Sequence, residues 1–189
     1  MLSAQLEQGR GELAYLESVL DALSRAEGER DLLEIRSELE AQGYLRPPKG
    51  QKKQVKRPKL KPMEFCSTAG LRISVGRNNT QNDQLTCKSA GKSDWWFHTQ
   101  GIPGSHVILW TQGTAPDQQS LREAAALAAW FSQAKGGASV SVDYTPVKYV
   151  KKPSGARPGM VIYTTYQTMV VTPRQEEIDR LRTGGEKEP

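Results

Sequence analysis

SDWWFHTQGIPGSHVILW, residues 93–110, holds both histidines of the chain and three of its four tryptophans around one Pro-Gly. DWWFHT (94–99) and SHVILWT (105–111) each have the two-residue period of a β-strand, and Pro103-Gly104 between them suits a tight turn, so the stretch predicts two neighbouring strands. In the first strand Asp94, Trp96 and His98 share one face while Trp95 and Phe97 share the other. One face is expected to be core and the other chemistry. In the second strand His106, Ile108 and Trp110 alternate with Val107 and Leu109. An aspartate two steps from a histidine could orient its imidazole, and the aromatic between them offers a stacking surface.

Moving outward, the region 62–172 repeats this pattern. Leu71, Ile73 and Val75 alternate before Gly76, and QLTC (84–87), ASVSVDY (138–144), MVIYTT (160–165) and QTMVVT (167–172) are further strand candidates. Between them SLREAAALAAWFSQAKGG reads as one principal helix, with Ser120 and Glu123 as a capping box and Gly136 as its stop. Strands, a helix and more strands joined by short links predict an α+β domain with a mainly antiparallel sheet.

Residues 1–45 space their leucines as helices do, at Leu6, Leu13, Leu16, Leu20 and Leu23 and then at Leu32, Ile35 and Leu39, with a break near Gly28 and a stop at Gly43. Two helices with so narrow an apolar stripe need either a partner helix, as at the end of a coiled coil, or the neighbouring domain to pack on. RPPKGQKKQVKRPKLK (46–61) has eight basic residues and no acidic ones, the composition of a flexible basic linker or a phosphate-contacting arm. Residues 173–189 read as a charged C-terminal tail.

Charge separates these regions. Residues 1–45 carry net −6, residues 46–172 net +12 and residues 173–189 net −1, within a total of +5. The middle is therefore the part suited to polyanions. Cys66 and Cys87 have no ligand-like spacing and read as thiols of a reducing compartment. The N-terminus lacks the apolar core of a secretory signal and no run is long enough to span a bilayer, which predicts a cytoplasmic protein without membrane association. GIPGSH lacks the lysine and following helix of a P-loop. Asp94, His98, His106 and a distant Cys87 make a poor zinc set, so neither metal nor cofactor is expected.

For the histidine-bearing face the residues leave three uses open: hydrogen-bonded core, acid/base cleavage of RNA by His98 and His106, or nucleic-acid binding by aromatics in basic surroundings. The last also explains the charge.

VGRNNTQNDQLTCKSAGKSDWWFHTQGIPGSHVIL, followed after the helix by VDYTPVKYVKKPSGARPGMVIYTTYQTMVV, closely resembles the NFACT-R domain at the C-terminal end of NFACT proteins. These are the RqcH- and NEMF-type ribosome quality-control factors, known in bacteria also as fibronectin-binding protein A homologues. The resemblance covers roughly 63–172, and LAYLESVLDALSRAEGERDLLEIRSELEAQGYL upstream is similar to the return part of the family's long coiled coil. It implies binding to tRNA and to large ribosomal subunits obstructed by peptidyl-tRNA, with alanine tailing of the stalled chain in bacterial members. On this resemblance the NFACT-N domain and the helix-hairpin-helix portion are expected to have no counterpart here. The chain therefore reads as a C-terminal fragment or a truncated relative, and tailing is expected to need the NFACT-N half as a partner.

The family pattern D-x-W-x-H falls on Asp94, Trp96 and His98, its PGSH on Pro103, Gly104, Ser105 and His106, and its G-R-N-N-x-x-N on Gly76, Arg77, Asn78, Asn79 and Asn82. Its basic stretch falls on Asp143, Tyr144, Thr145, Lys148, Val150, Lys151, Lys152 and Pro153. Arg77, Lys148, Lys151 and Lys152 are then expected to neutralise phosphates, Asn78 and Asn82 to donate to sugar or backbone oxygens, and Trp96 and His98 to stack on unpaired bases. Ser105 and His106 join this RNA-binding set. Asp94 is expected to fix His98 or the Gly104–Ser105 backbone, with Pro103 and Gly104 shaping the loop. The leading expectation is a non-catalytic RNA-binding module; an RNA-processing enzyme using His98 and His106 is the alternative, and extracellular adhesion rests on the fibronectin-binding name alone.

Overall fold

A computed structural model describes residues 2–47 and 59–183. The strands of 93–110 form as expected, β3 (Trp95–Thr99) against β4 (Val107–Leu109), antiparallel and in register at Phe97 and Val107. Around them lie β1 (Met63–Cys66), β2 (Arg72–Val75), β5 (Val140–Pro146) and β8 (Gln167–Val171), in the order β1-β2-β4-β3-β5-β8 with every pairing antiparallel. The fold is α+β, as the strand and helix pattern predicts.

The principal helix α4 (Gln118–Trp130) crosses one face of this sheet. Its alanines are excellent helix formers and short enough to bring the helix close, so Ala124, Ala125 and Ala128 pack with Leu121 and Leu127 on Phe97, Val107, Leu109 and Val142. The helix starts ahead of the expected capping box. Asp117 is the N-cap and accepts from the Ser120 N–H at 2.8 Å and its hydroxyl at 2.6 Å, while Glu123 is buried and accepts from Thr68 N–H and Oγ1. It ends at Trp130, where Phe131 leaves helical geometry to bury its ring; Gly136, at φ +88°, serves the next turn.

Other expectations are corrected. QLTC is not a strand: α3 (Asn79–Gln84) runs into a π-turn at Leu85–Ser89, nucleated by the Asn78 side chain, which accepts from the Gln81 N–H at 2.9 Å. MVIYTT supplies only β7 (Ile162–Tyr163), paired with β6 (Val150–Lys151) in a separate ribbon after a 3₁₀ turn at Val147–Tyr149. The C-terminal segment is more than a charged tail. Helix α5 (Gln175–Thr183) buries Ile178 and Leu181, three residues apart on one face, in the main core.

Two helices stand at the N-terminus, α1 (Leu2–Ser24) and α2 (Glu29–Ala41), with Gly28 as the N-cap of the second and Gly43 at φ +81° beyond its end. They bury Tyr15, Val19, Ala22 and Ile35 and leave Leu6, Leu13, Leu20 and Leu32 exposed. Most of the basic linker, 48–58, lies outside the described residues.

Candidate nucleic-acid interface

Strand β3 has core on both sides, which corrects the expected division into core and chemistry. On the face away from α4, Trp96 packs with Leu85, Ile108 and Val147 beneath the π-turn and the β6–β7 ribbon, and it is 0% exposed. It cannot offer a ring face to a base. His98 is half-buried and stacks on Trp96 at 5.7 Å and 10°. His106, 2% exposed, stands edge-on to both rings, with Nδ1 2.8 Å from Thr86 Oγ1 and its backbone N–H donating to Asn82 Oδ1 at 3.1 Å. Burial lowers the His98 pKa, and burial together with the charge of His98 pushes that of His106 well below the usual imidazole range. Both rings are therefore mainly neutral near pH 7. His106 belongs to the core.

Asp94 is a buried organiser, as expected, but of other partners. Its Oδ1 accepts from the N–H groups of Thr111 and Gln112 at 2.9 and 3.1 Å, and its Oδ2 from Gly91 N–H at 2.8 Å. It thus ties two loops together, one of which holds Gln112 at φ +51°. The carboxylate opposite His98 is Asp143, whose oxygens accept from Gln100 Nε2, Thr168 Oγ1 and Tyr163 OH.

The residues of PGSH close the other end of the β3–β4 connection. Chain reversal falls at Gly101, φ +67°, rather than at Pro103-Gly104. Gly104 is needed for close approach: a Cβ there would sit 2.8 Å from both Ser132 Cβ and Thr99 Oγ1. Pro103 lends its carbonyl to Gln133 N–H at 3.0 Å. Ser105, fully buried, donates to the Gly76 carbonyl at 2.5 Å and accepts from Arg25 Nη1 at 2.9 Å. It is a structural residue.

The G-R-N-N-x-x-N stretch is turned toward the helical hairpin. Asn78 Nδ2 donates to Glu34, Arg77 lies 3.5 Å from Asp31 and 4.0 Å from Glu27, and Asn79 donates to Ser18 and Glu38. Glu38 also accepts from Tyr15 OH, Thr80 N–H and Thr80 Oγ1. Asn82 Oδ1 lies where a Cβ on Gly76 would fall, 2.0 Å away, so this glycine makes room for the amide that holds His106. In this arrangement Asn78 and Asn82 are buried and Arg77 is paired with acids, so all three side chains are engaged within the chain. The negative charge of residues 1–45 thus finds its partner within the chain.

The exposed cations gather elsewhere. Lys148 lies exposed on the 3₁₀ turn, Lys151 on β6 and Lys152 just beyond it, with Lys148 Nζ 4.9 Å over the Tyr149 ring and Lys152 paired with Asp83. Lys148 N–H donates to the Lys92 carbonyl at 3.2 Å, which brings exposed Lys92 alongside. Partial desolvation raises the Cys87 thiol pKa and Asp83 adds to the rise, while Lys152 and Lys88 oppose it, so Lys88 shares this neighbourhood. Lys88 and Lys92 sit in a motif read for other residues, and their spacing carried no signal of this surface. Among the described residues no group of three or more potential ligands could hold a metal ion, and no helix is long and apolar enough to cross a membrane.

An antiparallel sheet covered by a helix on one face, with a lysine-bearing ribbon and turn on the other, is an α+β domain with exposed cations on one side. Residues 61–164 match the family described as NFACT protein RNA binding domain, and residues 1–58 match that of the NFACT N-terminal and middle domains. The chain belongs to the NFACT family. It is 45% identical over 96% of its length to the Rqc2 homolog RqcH of Bacillus subtilis, and 38% identical over 96% to that of Streptococcus pneumoniae. It spans 32% of the length of each of these relatives. The solved C-terminal part of the fibronectin/fibrinogen-binding protein from Streptococcus suis superposes with a TM-score of 0.88 at 39% identity, covering 95% of this chain and 71% of that one.

Proposed function

We propose that this chain is the RNA-binding module of a cytoplasmic ribosome quality-control factor, which docks on tRNA and on obstructed large ribosomal subunits during rescue of stalled ribosomes. It acts without catalysis, and C-terminal tailing requires the NFACT-N half of the full-length protein. The observation that carries this reading is the exposure of Lys88, Lys92, Lys148, Lys151 and Lys152 on neighbouring turns and the β6 strand of a domain whose family is described by RNA binding. Such a surface neutralises phosphates and reads no sequence. The exposed leucines of α1 recur at seven-residue intervals, at Leu6, Leu13 and Leu20, and support a coiled-coil partner helix for that face. We take 62–172 as the RNA-binding unit and the basic 46–61 stretch as its tether.

The test is retention of labelled tRNA by the purified chain, followed by cosedimentation with large subunits carrying or lacking peptidyl-tRNA. Full-length tRNA retained, and preference for the obstructed subunit, are the expected results. Metal-independent RNA fragments would show instead that His98 or another group cleaves.

A further inference from the structure

We propose that the uncharged outer face of β5 and β8, together with His98 and Gln100 at the end of β3, is a platform on which unpaired bases of single-stranded RNA stack, with Tyr166 as the principal ring. This rests on the RNA-binding reading above and names the part of the RNA that the lysines alone do not select. Strand register sets the platform out in rows. His98 lies opposite Asp143 and Asp143 opposite Thr168; Gln100 bonds through its N–H to the Ser141 carbonyl, and Ser141 lies opposite Val170. Side chains of one row share a face.

The opposite face of these strands is sealed by α4, whereas on this one Tyr166 and Val170 are 47% and 63% exposed and Gln100 and Thr168 are exposed beside half-buried His98. Tyr166 is held firmly from below. Its ring stands edge-on to Tyr163 at 5.1 Å, and Tyr163 in turn packs on Trp96 at 4.7 Å and donates its hydroxyl to Asp143. Asp143, the one carboxylate in these rows, is 1% exposed and accepts from Gln100, Tyr163 and Thr168, so it presents little charge to an approaching phosphate.

Continuity with the lysine surface identifies the occupant. The Thr164 N–H donates to the Tyr149 carbonyl at 3.2 Å, and Tyr163 pairs with Val150 beside Lys151, so the same ribbon that presents the cations leads into Tyr166. Phosphates gripped by lysines next to an uncharged aromatic face bordered by Gln100 and Thr168 is the arrangement single-stranded RNA uses, because its bases are free to leave their own stack. Duplex RNA keeps its ring faces covered.

The experiment compares a single-stranded RNA bearing 2-aminopurine with a duplex of the same length. Tyr166→Ala is expected to weaken single-strand binding by at least about fivefold and to lose the fluorescence quenching that stacking causes, with duplex affinity and salt dependence unchanged. Tyr166→Trp retains the quenching, and Val170→Glu weakens single-strand binding by placing charge on the platform. Both sites are exposed, so the variants are checked for wild-type thermal stability. Wild-type affinity and quenching in Tyr166→Ala would overturn the platform while leaving the lysine reading intact, and so would equal losses on single strand and duplex. Failure of the wild-type chain to bind either RNA would remove the RNA reading itself.

Discussion

Asp94 illustrates how a motif residue takes its role from neighbours distant in sequence. It satisfies three backbone N–H groups in two loops, Gly91 on one side and Thr111 and Gln112 on the other. Asp94→Asn turns one acceptor into a donor facing N–H groups and should cost about 1–3 kcal/mol, read as a lower Tm with the salt dependence of RNA binding unchanged. Tighter RNA binding at unchanged Tm would mean that its charge matters more than its bonds. Trp96 is fully buried, yet its Nε1 has no hydrogen-bond partner among the described residues. Trp96→Phe should therefore be much milder than Trp96→Ala, for which about 3–5 kcal/mol is expected from denaturant unfolding. The histidines add a pH dependence. Because burial lowers their folded pKa values beneath the unfolded value, their stabilising neutral form is complete above about pH 6.5 and is lost as pH falls toward the folded values. Stability should drop by up to about 1.4 kcal/mol per pH unit per histidine in that window, and flat stability between pH 7 and 5.5 would contradict the assignment.

Elements with a clean period were legible in the sequence: β3, β4, β5, β8 and the helical pair with its breaks at Gly28 and Gly43 stand where alternation or leucine spacing puts them, while α4 forms where expected but starts before Ser120 and ends at Trp130. Where local chemistry outweighed period, the reading failed. QLTC alternates weakly, but the Asn78 cap upstream had already started a helix, and α5 was hidden because its two core residues are surrounded by charges. The site suffered more. Sequence shows that polar residues gather in G-R-N-N-x-x-N, but it cannot show whether they meet RNA or the acids of α2. Glu38 decides that question, since it gathers donors from Tyr15, Asn79 and Thr80 and so joins the hairpin to the sheet domain. Glu38→Ala should loosen this joint, raising hydrogen exchange in α1 and α2 while β3 and β5 keep their protection. Unchanged exchange in the hairpin would show that the apolar contacts around Ile35 hold it alone.

For the whole molecule, the uneven charge resolves into two surfaces. The acids of the hairpin are partly spent on Arg77 and the asparagines, and among the described residues Lys88, Lys148 and Lys151 are left exposed on the π-turn, the 3₁₀ turn and β6, with Lys92 linked to them through the backbone. In the proposed mode of binding, this lysine surface grips RNA through phosphates. The most direct test of that claim is the salt dependence of tRNA binding in a variant with Lys88, Lys92, Lys148 and Lys151 changed to Gln, shown by circular dichroism to be folded. If each lysine meets a phosphate, affinity falls with little preference among RNA sequences, and the slope of log affinity against log salt flattens by up to about 3 units, at roughly 0.7 per single-strand contact. Wild-type affinity and slope in the folded variant would contradict the claim and place the RNA surface elsewhere on the chain.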